Sequence, residues 1–232
     1  LDGPLTKDKK LTFIAGGRVS YTDWALKKVP DPDISNSVTS FYDVSGKLSY
    51  KFDNNNWLNF MTYISNDEFN TSSQSINDYG NTLLNLRSRN KYSEALNGEV
   101  NLSYSDYKFR LTDLAEAKEF QAYNLDNRIR YNSLKYNLTW YPNPLHNVRS
   151  GFNIMRYINN PGRISPLSVN TIISSDIIDE ERALETAAYL SDEFDITPGF
   201  TVNLGLRYSY FALYGPKSVL IYNDDIAKSP ST

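Results

Sequence analysis

The stretch Phe200–Phe211 reads Phe-Thr-Val-Asn-Leu-Gly-Leu-Arg-Tyr-Ser-Tyr-Phe, and apolar and polar residues alternate along it. Because a β-strand sends successive side chains to opposite faces, this alternation predicts a strand with one apolar and one polar face. The polar face carries Arg207 and small polar groups, so we expect it to meet water. Whether the apolar face meets a protein core or lipid decides the fold of the chain.

The same alternation recurs along the whole chain. Leu134, Tyr136 and Leu138, for example, alternate with Lys135 and Asn137. Segments of about ten residues are longer than the five or six residues of a typical soluble strand. We count roughly nine such segments, near 11–22, 42–52, 58–64, 84–91, 99–105, 134–140, 148–154, 188–196 and 200–211.

The connections between these segments are short at one end of the strands and long at the other. Short polar connections lie at 53–56, 93–96, 142–146 and 197–199, and Gly, Pro or Asn supplies the turn geometry in three of them. Longer ones lie near 25–40, 67–80, 106–126, 159–184 and 213–232. An outer-membrane barrel has short periplasmic turns, long outer loops and aromatic girdles, and Trp57 and Trp140 adjoin short turns here. A β-sandwich shares the alternation but not this consistent asymmetry.

Composition and charge narrow the functional classes. The 232 residues include no cysteine, and a net charge of −3 gives no electrostatic case for nucleic acid as a partner. No run of about 18 apolar residues predicts a transmembrane helix. This criterion does not detect barrel strands, because their alternating residues average to a moderate hydropathy. We therefore predict an all-β fold, an antiparallel transmembrane β-barrel.

The odd number of predicted strands carries a further expectation. Bacterial barrels have an even number of strands. An open edge in lipid would leave backbone groups unpaired, at a cost of several kcal/mol each. We therefore expect residues 1–232 to form one partial barrel domain, a contiguous piece of a larger barrel.

Two neighbouring segments resemble a known family. Ala183–Ile196 reads ALETAAYLSDEFDI, and Leu204–Phe211 reads LGLRYSYF. This pair resembles strands in the barrel of TonB-dependent outer-membrane receptors, although Phe194 stands where the family often has tryptophan. Gly16–Asp23 and Gly80–Arg87 resemble further strands of Bacteroidetes-type members, so that the resemblance covers nearly the whole chain.

The resemblance implies a barrel of about 22 strands with a plugged lumen. It implies a location in the bacterial outer membrane and the import of a nutrient such as a siderophore, cobalamin, a glycan or a peptide. The implied partners are outer-membrane lipid, the TonB complex, and a surface lipoprotein or other outer-membrane subunits. No segment of the chain resembles the plug domain or the N-terminal region that contacts TonB.

Two other functional classes stay open at the level of sequence. A receptor-like barrel can serve as a structural or interaction subunit of a larger outer-membrane complex. A soluble β-sandwich such as a lectin would also show alternating strands.

The sequence predicts no catalytic centre, cofactor or metal site, and so no enzyme. His146 is the only histidine, and we interpret it as a surface residue of a Pro-Asn-Pro turn. A Ser-His-Asp triad or a histidine-rich metal site is therefore not expected. The acidic run of Asp176, Asp179, Glu180 and Glu181 has the oxygen ligands that calcium prefers, but a solvated loop is the favoured interpretation.

The polar face holds most of the charge that the pattern assigns to strands. We expect these side chains to line a wet lumen or to contact a plug, and ligand residues, which the sequence does not identify, to lie in the long loops. The charged residues assigned to this face are Arg18, Lys47, Lys51, Arg87, Arg89, Lys91, Glu99, Lys135, Arg149, Glu193 and Arg207.

Overall fold

The computed structural model describes residues 1–20, 22–35, 37–71, 75–114 and 119–215, which form a single antiparallel sheet. Nine strands are long and two are short, and the order in the sheet follows the order in the chain. The strands are β1 (Asp2–Pro4), β2 (Leu11–Val19), β3 (Val38–Lys51), β4 (Trp57–Thr71), β5 (Ser75–Ser93), β6 (Leu96–Asp113), β7 (Tyr123–Trp140), β8 (His146–Pro166), β9 (Asp176–Ile177), β10 (Glu181–Thr197) and β11 (Phe200–Tyr214).

Among the described residues, helical structure is confined to the connections. Two four-residue helices, α1 (Asp23–Leu26) and α2 (Pro32–Ser35), lie between β2 and β3, and a 3₁₀ turn spans Glu119–Gln121. Within the described residues no helix is long and apolar enough to cross a membrane. The short strand β9 pairs with the C-terminal end of β8. The all-β prediction with roughly nine long strands is therefore confirmed.

The strands are longer than the sequence predicted, and three of the predicted long connections are shorter. The segment 67–80 is mostly strand, since β4 ends at Thr71 and β5 begins at Ser75. Likewise β6 continues to Asp113, and β8 continues to Pro166. The prediction was wrong here because side-chain alternation reports the surrounding medium, whereas a ladder of backbone hydrogen bonds continues wherever two strands stay paired. The connection predicted at 213–232 lies outside the described residues from residue 216 onwards.

The cross-strand register places apolar residues of successive strands side by side. One register row is apolar from β2 to β8, across seven strands. We call the face that carries this row the apolar face, and the opposite one the polar face. The row consists of Phe13, Leu48, Phe60, Leu86, Leu102, Leu134 and Ile154.

The described sheet is a single layer without a core. No side chain in the described ranges is fully buried, and the buried hydrophobic residues are three alanines, Ala122, Ala183 and Ala187. Leu102 keeps 43% of its surface exposed although it has paired strands on both sides. A β-sandwich would cover such residues with a second sheet about 10 Å away. The apolar face thus remains open to the surroundings along its whole width.

The short turn between β3 and β4 is held by one carboxylate. The backbone N–H groups of Asn55 and Asn56 donate to Asp53 Oδ1 at 2.7 and 2.9 Å, and the Asn56 side-chain amide donates to Asp53 Oδ2 at 2.7 Å. These hydrogen bonds, with the Asn56 side chain contributing most, lower the pKa of Asp53. Asn56 also accepts a hydrogen bond at 2.9 Å from the backbone N–H of Lys91, which ties the turn to β5.

Candidate functional site

The apolar residues of the apolar face form a diagonal band that crosses register rows. We call it the apolar band. Val44 of β3 and Ile64 of β4 share a row that becomes charged at Asp106 of β6 and Arg130 of β7. On β10 and β11 the apolar pair Leu190 and Leu206 lies several register rows closer to the short turns than the row of Ile154 and Thr186 does. Strands of a barrel are tilted against its axis, so an apolar zone of constant height has to cross register rows in this way.

The polar face is lined by charged and amide side chains that bond across strands. Arg87 pairs with Glu99 at 2.6 Å, and the Asn85 amide donates to Asn101 Oδ1 and to Ser103 Oγ, both at 2.8 Å. The register confirms that all eleven charged residues assigned to this face from the sequence share it.

A recess of about 390 Å³ lies on the polar face near the short turns. It brings together Arg89, Glu99, Lys135 and Arg149, with Tyr189 at its edge. The Tyr189 hydroxyl donates to Asn137 Oδ1 at 2.9 Å, which fixes the ring over Gly151. The other predicted charges are dispersed: Arg18 pairs with Asp43 at 2.7 Å near the opposite end of the strands.

His146 is not the plain surface turn residue that the sequence suggested. It begins β8 on the register row of Phe194, and the two rings stack at 4.3 Å between centroids with 5° between planes. Its Nδ1 lies 2.6 Å from Oδ2 of Asp192, the one acidic residue within the apolar alternation of β10. The sequence does not predict this pair because the two residues are 46 positions apart.

The acidic run before β10 is partly engaged in ion pairs. Glu180 accepts from Arg130 of β7 at 3.3 Å and from Arg182 at 2.9 Å. In the part of the chain that the structure describes, no three His, Cys, Asp or Glu side chains converge as a metal site requires. Glu180 therefore serves to fasten this connection to β7.

A second recess, of about 600 Å³, lies on the apolar face but beyond the end of the apolar band, towards the long connections. We call it the outer recess. Four basic and two acidic side chains line it, together with amide groups, a glycine and a phenylalanine: Lys108, Arg110, Arg128, Arg163, Asp78, Asp126, Asn66, Asn127, Asn160, Gly80 and Phe109. The sequence-based assignment of 106–126 to a long connection does not predict the recess, although Asp106, Lys108 and Arg110 continue the parity of Leu102 and Tyr104.

No family model matches the sequence, and no curated protein matches it. Among solved structures, the chain is similar to the ferripyoverdine receptor of the Pseudomonas aeruginosa outer membrane bound to ferripyoverdine. The TM-score is 0.68 at 14% identity, and the match covers 94% of this chain and 35% of the receptor.

Two further solved structures show the same likeness. The ferric preacinetobactin receptor BauA of Acinetobacter baumannii matches with a TM-score of 0.66 at 9% identity, over 91% of this chain and 38% of that one. The copper transporter OprC matches with a TM-score of 0.64 at 13% identity, over 88% and 33%. The chain thus spans about a third of the length of these proteins. Its fold is that of part of the β-barrel of such receptors, which confirms the predicted fold class.

Proposed function

We propose that the chain is part of the lipid-embedded wall of a nutrient importer in the bacterial outer membrane, of the TonB-dependent receptor type. The observation that carries the proposal is the apolar row from Phe13 to Ile154, in which every side chain is half-buried or exposed across seven adjacent strands. A monomeric soluble protein rarely exposes so large a continuous apolar surface. Lipid is the medium that makes it favourable.

The polar face fits the wet side of such a wall. Its charged and amide groups are bonded across strands, yet Arg18, Arg87 and Arg149 keep about half or more of their side-chain surface exposed. We propose that this face borders the lumen and contacts a plug domain from another part of the protein. In this proposal the wall has no catalytic role, and the TonB complex engages the protein outside the described residues.

The substrate class follows from the neighbours only in broad terms. Of the similar structures, one is a ferripyoverdine receptor, one a ferric preacinetobactin receptor and one a copper transporter. A metal complex or metal ion is accordingly the first substrate class to test, ahead of cobalamin, a glycan or a peptide. The assignment to Bacteroidetes-type receptors and the partnership with a surface lipoprotein stay predictions.

Membrane extraction tests the location. We expect the protein in outer-membrane fractions to resist high salt and alkaline carbonate and to dissolve only in detergent. We also expect it to migrate differently on gels before and after boiling. Release by salt alone would contradict the lipid-facing wall and favour a soluble β-sandwich.

Uptake assays test the import role separately. We expect deletion of the gene to abolish growth on one ferric-siderophore or copper source under metal limitation. Reintroduction of the gene should restore that growth. A detergent-requiring protein whose deletion changes no uptake would instead indicate a structural subunit of an outer-membrane complex.

A further inference from the structure

The outer recess lies where the wall leaves the apolar zone. Along the apolar-face positions of β6 the sequence changes from Leu102 and Tyr104 to Asp106, Lys108 and Arg110. Residues two apart on a strand are separated by about 7 Å. The basic groups therefore begin within two such steps of the last apolar side chain. A molecule bound in the recess can therefore extend directly onto the apolar band.

The side chains of the recess retain unused hydrogen-bond donors. Arg128 donates to Asp106 through Nε at 2.8 Å and Nη2 at 2.6 Å, and Arg110 donates to Asp126 through Nε at 2.6 Å. A guanidinium has five N–H donors, so both arginines can bind a further anion. Asp106 is only 7% exposed. It acts as a buried anchor that directs Arg128.

Two other basic groups have a weak ion pair or none among the described residues. Lys108 is 61% exposed at its side chain, and its nearest carboxylate oxygen, Asp106 Oδ2, lies 4.0 Å away and already accepts from Arg128. Arg163 lines the recess and has no ion-pair partner among the residues that the structure describes. The floor at Gly80 is open, since a Cβ there would make only ordinary contacts, at 3.5 Å to Asn66 and 3.9 Å to Lys108.

We propose that the outer recess binds the phosphate group of an anionic lipid of the outer leaflet, with the acyl chains lying along the apolar face below it. Arginine and lysine at a membrane surface attract anionic headgroups, and arginine binds phosphate through paired N–H groups. The recess holds an excess of basic over acidic side chains. The recess adjoins the apolar band at Tyr104, which favours a lipid over a soluble anion. The inference rests on the proposed location in a bilayer.

The test compares two charge-removing double variants of the whole protein, each extracted in mild detergent. Lys108→Gln with Arg163→Gln removes the two basic side chains of the outer recess that have the weakest ion pairing. Lys135→Gln with Arg149→Gln removes the same charge from the polar face. The readouts are the phosphorylated glycolipid of the outer leaflet that co-purifies per protein molecule, by mass spectrometry, and the affinity for this lipid when it is titrated into the protein in detergent micelles.

We expect the outer-recess variant to bind lipid about 30-fold more weakly, which corresponds to ~2 kcal/mol at about 1 kcal/mol per basic residue near the surface. The polar-face variant should bind as the unaltered protein does. Gly80→Glu adds a carboxylate to the recess and leaves every ion pair in place, and it should weaken binding as well. Equal lipid binding by all variants that insert normally would overturn the proposal.

Two further outcomes separate the alternatives. If inorganic phosphate at millimolar concentration binds with the same dependence on Lys108 and Arg163 and lipid does not compete, the recess is a soluble-anion site and the lipid assignment is wrong. If the unaltered protein is released from membranes without detergent, the proposed location fails first. Normal insertion with unaltered lipid binding refutes the present inference alone.

Discussion

Leu102 offers the most direct test of which face meets lipid. It lies within the apolar row between Leu86 and Leu134, and the apolar positions of β6 run from Leu96 to Tyr104. Leu102 stands two residues from the middle of that run, about 7 Å along the strand. With a strand tilt of about 40°, this is about 5 Å from the midplane of an apolar zone about 25 Å tall. Leu102→Arg should therefore cost about 2–3 kcal/mol of folding free energy, towards the lower part of the range for a midplane charge.

Ser103→Arg is the matched control, because it adds the same side chain one residue away on the polar face. It removes the hydrogen bond from Ser103 Oγ to Asn101 Oδ1 at 2.9 Å and the one from the Asn85 amide to Ser103 Oγ at 2.8 Å. Because Asn85 still donates to Asn101 Oδ1, neither amide is left without a partner, and the loss costs about 1 kcal/mol. The two variants should thus differ by about 1–2 kcal/mol, which is a 5- to 30-fold difference in the unfolding equilibrium.

Both variants are measured by urea titration in lipid vesicles, with the folded fraction read from gels of unboiled samples. We expect Leu102→Arg to have the lower midpoint and to accumulate less in the outer membrane. Equal midpoints, or a lower midpoint for Ser103→Arg, would refute the assignment of the apolar face to lipid.

Three further predictions concern particular contacts. Gly151→Val should destabilise by about 1–3 kcal/mol, because its Cβ would collide with the backbone oxygen of Tyr136 and lie 2.8 Å from the Tyr189 ring; thermal unfolding checks this. His146→Leu should lower the thermal midpoint more than the double variant with Asp192→Leu, because the single change leaves a carboxylate unpaired; a lower midpoint for the double variant would contradict the pairing. Asp53 has a lowered pKa, so its stabilisation of the turn is present above the unfolded pKa and is lost as pH falls through the folded value. Amide exchange in the turn should therefore speed up on acidification, and Asp53→Ala should exchange rapidly at every pH.

The faces of the strands could be predicted from the sequence because the period of a strand is two and does not depend on its partners. Leu204 and Arg207, for instance, fall on the faces that their parity assigned. Register could not be predicted, since it depends on which residue of one strand lies opposite which residue of the next. The apolar row and the diagonal band appear only once the register is known.

The outer recess and the His146–Asp192 pair could not be predicted for a related reason. Both consist of side chains from different strands: Lys108 and Arg128 belong to β6 and β7, and His146 and Asp192 to β8 and β10. Alternation did continue through Asp106, Lys108 and Arg110, and that signal was available. The apolar residues change parity at this point, from Leu102 and Tyr104 to Tyr107 and Phe109, and such a change predicts the end of a strand.

The polar groups on the apolar face are themselves evidence about its surroundings. An unpaired polar group transferred from water to an apolar medium costs several kcal/mol, so such a face tolerates polar residues where they find partners across strands. Asp192 is paired with His146 at the end near the short turns, and the Arg156 Nε donates to the Tyr214 hydroxyl at 2.8 Å towards the other end. Between these two levels β10 and β11 present Leu190 and Leu206. A face in contact with water would need neither the pairing nor this separation, whereas a lipid-facing one needs both.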